Sequence, residues 1–381
     1  MGIYEDLGVR TLINAKGPST RVSGGYLAPE VLAAMAEAGS ACVDMAELQA
    51  AASLTIADIT GAEAGIVTSG AAAGLLVATA ACVAGLDPVK MARLPDTRGM
   101  KNEVVMIRSQ RNFYDHAVRT AGVRIREVGL PDRFAGAGVR DAEAWEIAGA
   151  INDKTAAVIF VAGSAARPSL QDVVRVAHQR EVPVIVDAAA QLPPASNLRA
   201  LIETGADLVC FSGGKAIGGP QGSGILCGRR DLIMSAILQM LDLDIEWEQW
   251  WPPSTLIDRD RLAGVPQHGI GRACKVGKET IVGLLVALKR FAAEGDENRR
   301  LRWHWMVSRL AERTGGEIVD GRVPKLVLRG TMEDCIALQQ GEPAVQVDPS
   351  AVAQGRIVLN PMCLREEDIE PLCARLKELG L

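Results

Sequence analysis

Three short stretches of this 381-residue chain combine residue types that could do chemistry. Thr68-Ser69-Gly70-Ala71-Ala72 follows the apolar run "GIV" and leads into an alanine- and leucine-rich segment. Small residues let a backbone come close to a ligand. The unpaired N–H groups that open a helix, reinforced by its dipole, favour an anion. Asp187 ends the run "VPVIV" and is followed by Ala188-Ala189-Ala190-Gln191. A carboxylate there is costly to bury unless it meets a cation or a strong donor, and three alanines leave space for something flat. Lys215 is the single cation between Phe211 and Gln221, within "FSGGKAIGGPQGSGILCG". In an apolar, glycine-lined pocket desolvation lowers the pKa of a lysine, and the neutral amine is the nucleophilic form. The surrounding glycines are expected to make room for a flat ligand. Each stretch also has a plainer reading: a tight strand–helix turn, a helix-capping Asp, a surface lysine on a loop. The first is neither G-x-G-x-x-G nor a Walker loop, which removes the usual support for a dinucleotide or a nucleoside triphosphate.

The elements that must position these residues follow from the apolar pattern. "PEVLAAMAEAG" and "AELQAAASLTIADITG" have helical spacing, with Gly61 as a C-terminal stop. Seven short runs read as strands: "GIVTS", "EVVMI", "VRIREV", "TAAVIFV", "VPVIVD", "DLVCF" and "GILCG". Most are separated by helix-length segments such as "DAEAWEIAGAIND" and "SLQDVVRVAHQRE". Apolar strands alternating with helices indicate an α/β fold with a mainly parallel sheet buried on both faces. "DLVCF" and "GILCG" leave no space for a helix between them, so one of the two is expected to be antiparallel. The texture changes after Pro252-Pro253, where long helices over 275–295 and 297–316 precede short strands and a final helix. We therefore expect an N-terminal arm and large domain over 1–250 and a small α+β domain over 251–381. In such a sheet ligands lie beyond the C-terminal strand ends, where Ser69, Asp187 and Lys215 all stand.

Composition narrows the classes. Hydrophobic residues make up 48%, enough for a large core, but aromatics only 4%, so aliphatic side chains must fill it. A formal charge of −5 argues against nucleic acid as a partner. The eight cysteines are scattered without a CxxC, and the four histidines have no ligand spacing. That pattern fits reduced thiols in a cytoplasmic protein and no metal site. "MGIYEDLGVR" lacks the apolar stretch of a signal peptide. Residues 64–86 are uncharged, yet Thr68-Ser69-Gly70 breaks them into strand, turn and buried helix, so no membrane span is expected.

A phosphate cradle, a strand-end Asp and a Lys on a glycine-rich loop, in that order, are the parts that pyridoxal 5'-phosphate (PLP) needs. The whole span 1–381 resembles the fold-type I PLP-dependent enzymes, the PLP-dependent transferase fold. Within them it is similar to the branch of selenocysteine synthase-like proteins and D-glucosaminate-6-phosphate ammonia-lyases. The motifs are "TSGAAAG", "RNFYDHAVRTAG", "VDAAAQLPP", "FSGGKAIGGPQGSG", "HGIGRACKVGKETIVGLL" and "IVLNPMC". The resemblance implies a seven-stranded sheet and a homodimer or larger homo-oligomer with active sites at the subunit interface. It makes Lys215 the Schiff-base lysine and proton shuttle, and Asp187 the partner of the ring nitrogen. Ser69, Gly70 and Ala71, with Ser212, become donors to the phosphate, and Ala189 lies under the ring. Gln191 either reaches the ring hydroxyl or is a structural amide. A residue of "RSQRNFYDHA" should cover the other ring face. The branch often carries histidine where this chain has Gln110, a departure that leaves Tyr114 and His116 as alternatives. Arg272 belongs to a basic cluster at a helix start, where positive charge opposes the dipole. It is a candidate for a phosphate or an anionic substrate, with Arg21 and Arg356 as further candidates for a substrate carboxylate. The acidic, Trp-rich "LDLDIEWEQWWPP" reads as a lid, a subunit contact or packing against the small domain.

The branch implies a PLP-dependent lyase acting on a small hydroxy amino acid or amino-sugar acid. The reaction is α,β-elimination of the ammonia-lyase type, with D-glucosaminate 6-phosphate as an example of the substrate. The same residues leave open an amino-acid racemase or aldolase, a selenocysteine synthase-type transferase, or a non-catalytic PLP-binding protein.

Overall fold

The computed structural model describes residues 2–130, 142–163 and 167–381. In chain order its strands are β1 (Leu12–Asn14), β2 (Ala64–Thr68), β3 (Glu103–Ile107), β4 (Arg124–Val128), β5 (Thr155–Val161), β6 (Val184–Asp187), β7 (Leu208–Ser212), β8 (Gly224–Gly228), β9 (Glu317–Val319), β10 (Lys325–Arg329), β11 (Ala344–Gln346) and β12 (Arg356–Leu359). The seven apolar runs form a seven-stranded sheet in the order β2-β8-β7-β6-β5-β3-β4. All pairs are parallel except those of β8, which runs antiparallel to both β2 and β7.

Side chains alternate between two apolar layers, as the period-2 geometry of a strand requires. Ile66, Val104 and Ile185 face a layer with the helices Ala71–Ala84 and Arg230–Leu238. Val67, Val105 and Val186 face the other, with Met45–Thr60, Leu170–His178 and Lys278–Glu294. Residues 64–86 are strand, turn and buried helix, as expected. Among the described residues no helix is long and apolar enough to cross a membrane.

The C-terminal part is an antiparallel sheet, β12-β10-β9, packed on helices Asp296–Thr314 and Ile369–Glu378. Packing divides the chain differently from the change of texture at Pro252-Pro253. Ile281, Leu284 and Leu288 of the long helix belong to the large core. Ile13 and Ala15 of the N-terminal arm belong to the small one, where β1 pairs with β11. Of the readings given for the Trp-rich segment, packing against the small domain does not hold. Trp250 is buried with Leu256 and Ile257 in the layer of helix Ala71–Ala84, so it packs on the large domain. A texture boundary marks where strands give way to helices, whereas a core ends where complementary apolar faces end.

Candidate active site

Because β8 is reversed, its first residue, Gly224, stands level with Thr68 at the end of β2 and Ser212 at the end of β7. Asp187 closes β6 beside Cys210 of β7 and Val161 of β5. With strands about 4.8 Å apart, the edge from β2 to β6 spans roughly 14 Å. The Ser69-Gly70 turn lies directly over β8: a Cβ on Gly224 would stand 2.5 Å from the Gly70 carbonyl carbon and 2.7 Å from Ala71 N. Gly70 has φ +102°, a conformation that side chains disfavour, and the helix it opens has no side-chain cap. The first-turn N–H groups are thus left to an outside acceptor. Ser69 Oγ donates to the Cys274 carbonyl at 2.8 Å, which ties the segment around Arg272 to this cradle.

The loop after β7 is tightly folded. Gly213 N donates to Ser223 O and Gly219 N to Gly213 O, both at 2.9 Å. A Cβ on Gly214 would be 2.6 Å from the Gln221 backbone, and one on Gly213 2.6 Å from Leu284 Cδ1. These two glycines therefore let the loop close on itself and on the long helix, which corrects the expectation that they make room for a flat ligand. Gln221 Nε2 donates to Thr20 Oγ1 at 2.9 Å, so the N-terminal arm braces the lysine loop.

Burial raises the Asp187 pKa, against a 3.0 Å hydrogen bond from Ala189 N and the nearby Lys215 charge. Burial likewise lowers the pKa of Lys215, against the attraction of Asp187. Each group is held away from its charged form, and each is the other's partial compensation. A ligand that offers Asp187 a proton-bearing nitrogen and Lys215 a carbonyl carbon answers both.

The remaining candidates separate. Tyr114 and Asn112 line a narrow crevice with Val161 and Asp187, which brings "RNFYDHA" to the site; nothing in the sequence had singled out Asn112. His116 is exposed and accepts from Arg119 Nη2 through Nδ1 at 3.1 Å, outside that lining. Gln191 spends its amide on the Ala162 carbonyl, 2.6 Å away, as a structural amide does. Gln110 Oε1 accepts from Val161 N at 2.9 Å, whereas among the described residues its Nε2 is buried without a partner. Ala188 packs into the core and Ala189 stays partly exposed beside Asp187. Arg272 is paired with Asp242 at 2.6 Å near the cradle. Arg21 follows Thr20 at the lysine loop and donates to Gln346 Oε1. Arg356 is set apart: it opens β12 and lines a cavity of about 460 Å³ in the small domain with Arg329 and Glu317.

A family model described as SelA: L-seryl-tRNA selenium transferase matches residues 44–242. The chain is 32% identical to the D-glucosaminate-6-phosphate ammonia lyase of Salmonella typhimurium, over 99% of this chain and 98% of that protein. The chain belongs to this SelA-like family of fold-type I PLP-dependent enzymes. A solved structure of D-glucosaminate-6-phosphate ammonia-lyase matches with a TM-score of 0.81 at 30% identity, covering all of this chain and 98% of that one. Another relative, the 5'-C-glycyluridine monooxygenase-decarboxylase of a Streptomyces species, is 29% identical over 99% of this chain and 92% of its own. The expected fold, the PLP cofactor and the lyase class all stand on these likenesses. The residues fit the cofactor: an uncapped helix start for its phosphate, a half-buried carboxylate for its ring nitrogen and a desolvated lysine for its aldehyde.

Proposed function

We propose that this protein is a cytoplasmic PLP-dependent ammonia-lyase that removes ammonia from a hydroxy amino acid or amino-sugar acid of the D-glucosaminate 6-phosphate class. The observation that carries it is the convergence of Ser69-Gly70-Ala71, Asp187 and Lys215 on one sheet edge, in a chain that matches such an enzyme from end to end. Bound PLP supplies an electron sink for charge that develops at the substrate Cα. Lys215, held toward its neutral form by burial, would hold the cofactor and move the proton at the substrate Cα. The Asp187 carboxylate would hold the ring nitrogen protonated, and the Ser69–Ala71 backbone with Ser212 would hold the phosphate. Loss of the proton from Cα and of hydroxide from Cβ is net loss of water. Hydrolysis of the resulting amino-alkene returns that water and yields a 2-oxo acid and ammonia. Arg272 and Arg21, near the cradle and the lysine loop, serve a phosphorylated carboxylate substrate. Tyr114 covers the crevice over the ring. Phe113, 94% exposed beside it, supports a homo-oligomer in which a second subunit closes the site. All eight cysteines are free, in keeping with a reducing compartment.

The near-equal likeness to the monooxygenase-decarboxylase favours a second reading, oxidative decarboxylation of an amino-acid-like substrate. Purified holoenzyme given D-glucosaminate 6-phosphate should release ammonia and a 2-oxo acid in equal amounts without consuming oxygen, and Lys215→Ala should release neither. Absence of both products from this and related hydroxy amino acids would sink the lyase reading; oxygen uptake with carbon dioxide release would install the second.

A further inference from the structure

Gln110 stands where a ring-covering residue is expected, but its geometry gives it another task. Its Oε1 is anchored by Val161 N at 2.9 Å, which fixes the amide plane. Its Nε2 is buried with no hydrogen-bond partner among the described residues. An unmet buried donor is destabilising, so an acceptor is missing from its surroundings. Val161 is the direct neighbour of Asp187 across β5 and β6, so Gln110 is anchored to the strand next to the one that carries Asp187.

Covalent structure decides which acceptor. In PLP the phosphate arm and the ring oxygen sit on opposite sides of the axis from the ring nitrogen to the aldehyde-bearing carbon. The phosphate cradle lies on the β2, β8 and β7 side of Asp187. The ring oxygen must then face the β5 and β3 side, where Gln110 stands at the end of the turn Arg108–Gln110 that follows β3. The other amide considered for this oxygen, Gln191, already places one of its two Nε2 hydrogens on Ala162 O, whereas Gln110 Nε2 has neither placed.

We propose that Gln110 Nε2 donates a hydrogen bond to the ring oxygen of PLP, and that Gln110 is therefore a cofactor-tuning residue. It rests on the cofactor alone, so it can fail while the ammonia-lyase reading survives, and the reverse. A donor to this oxygen favours its deprotonated form, so removing the donor moves the titration of the bound cofactor to higher pH. The test is a pH titration of the visible absorbance of substrate-free holoenzyme, with PLP affinity measured by fluorescence. Gln110→Leu removes donor and acceptor. Gln110→Glu keeps the acceptor for Val161 N and exchanges the donor for a second oxygen. A charge-assisted hydrogen bond corresponds to about one unit or more, so both midpoints should rise by about that much, the Glu variant more, with PLP bound about tenfold more weakly. If Gln110→Leu fails to fold or to take up cofactor, the Glu variant alone decides. Midpoints and affinities equal to wild type in folded variants would overturn the assignment, as would an unchanged midpoint with weaker binding of a substrate amino acid, which would give the donor to the substrate.

Discussion

Two aspartates lie at opposite edges of the same sheet, and the fold treats them differently. Asp207, just before β7, is almost fully buried and fully answered: His178 Nε2, Arg229 Nη1 and Val184 N all lie 2.8 Å from its oxygens. Asp187, at the end of β6, has a hydrogen bond from Ala189 N and a lysine at a distance, and burial pushes its pKa up. Buried polar groups in a stable protein are satisfied, and the exceptions mark places where a partner is to come from outside. On that criterion Asp207 holds the sheet together and Asp187 waits for a ligand.

The sharpest way to break this contrast is to remove the waiting carboxylate. Asp187→Ala should cut turnover about 10³-fold, and turnover close to wild type would overturn its assignment to the ring nitrogen. The apoprotein should melt no lower than wild type, because an incompletely paired, half-buried carboxylate has been taken away. A large loss of stability with turnover intact would reverse the roles of the two aspartates.

The converse change is Asp207→Ala. Three hydrogen bonds vanish, and the Val184 N–H is left buried without its acceptor. His178 and Arg229 are each nearly half exposed and can recover water, so the cost stays below that of a fully buried broken pair. We expect a loss of about 2–3 kcal/mol by denaturant unfolding, with turnover close to wild type at temperatures where the variant is folded.

How much of this was legible in the sequence depends on the range of the interaction. Strand-end chemistry was visible because Thr68, Asp187 and Lys215 each follow an apolar run, and a sheet brings its C-terminal ends to one edge. The antiparallel β8 was visible because eleven residues separate it from β7 without a helix to cross back. Hydrogen-bond commitments were not. Nothing in "VDAAAQLPP" or "RSQRNFY" says that Gln191 is spent on Ala162 while Gln110 keeps a donor free, because those partners lie on strands distant in sequence. The arm was equally hidden. It was expected to belong to the large domain, whereas β11 pairs with Ile13 and the small-domain core takes in both Ile13 and Ala15. Arg356 looked like a carboxylate binder by residue type alone, and only the β10–β12 pairing puts it beside Arg329 in a separate cavity.

The finest test of the contrast is the pH dependence of apoprotein stability. Asp187 has a folded-state pKa raised above its unfolded value, so between those two values the folded state binds more protons than the unfolded one. Stability therefore falls as pH rises through that window, and the cost is fully present above the folded value and absent below the unfolded one. Lys215 has the opposite sign. Its folded pKa is lowered, so its cost is present below the folded value and is relieved as pH climbs to the unfolded one. Subtracting the Asp187→Asn stability profile from that of wild type isolates the acid limb, and subtracting that of Lys215→Met isolates the alkaline one. Both are expected to be smaller than the loss from Asp207→Ala, because each charge is partly offset by the other. A flat difference on the acid side would mean that Asp187 is as well satisfied as Asp207, and the distinction between a structural and a waiting carboxylate would fall with it.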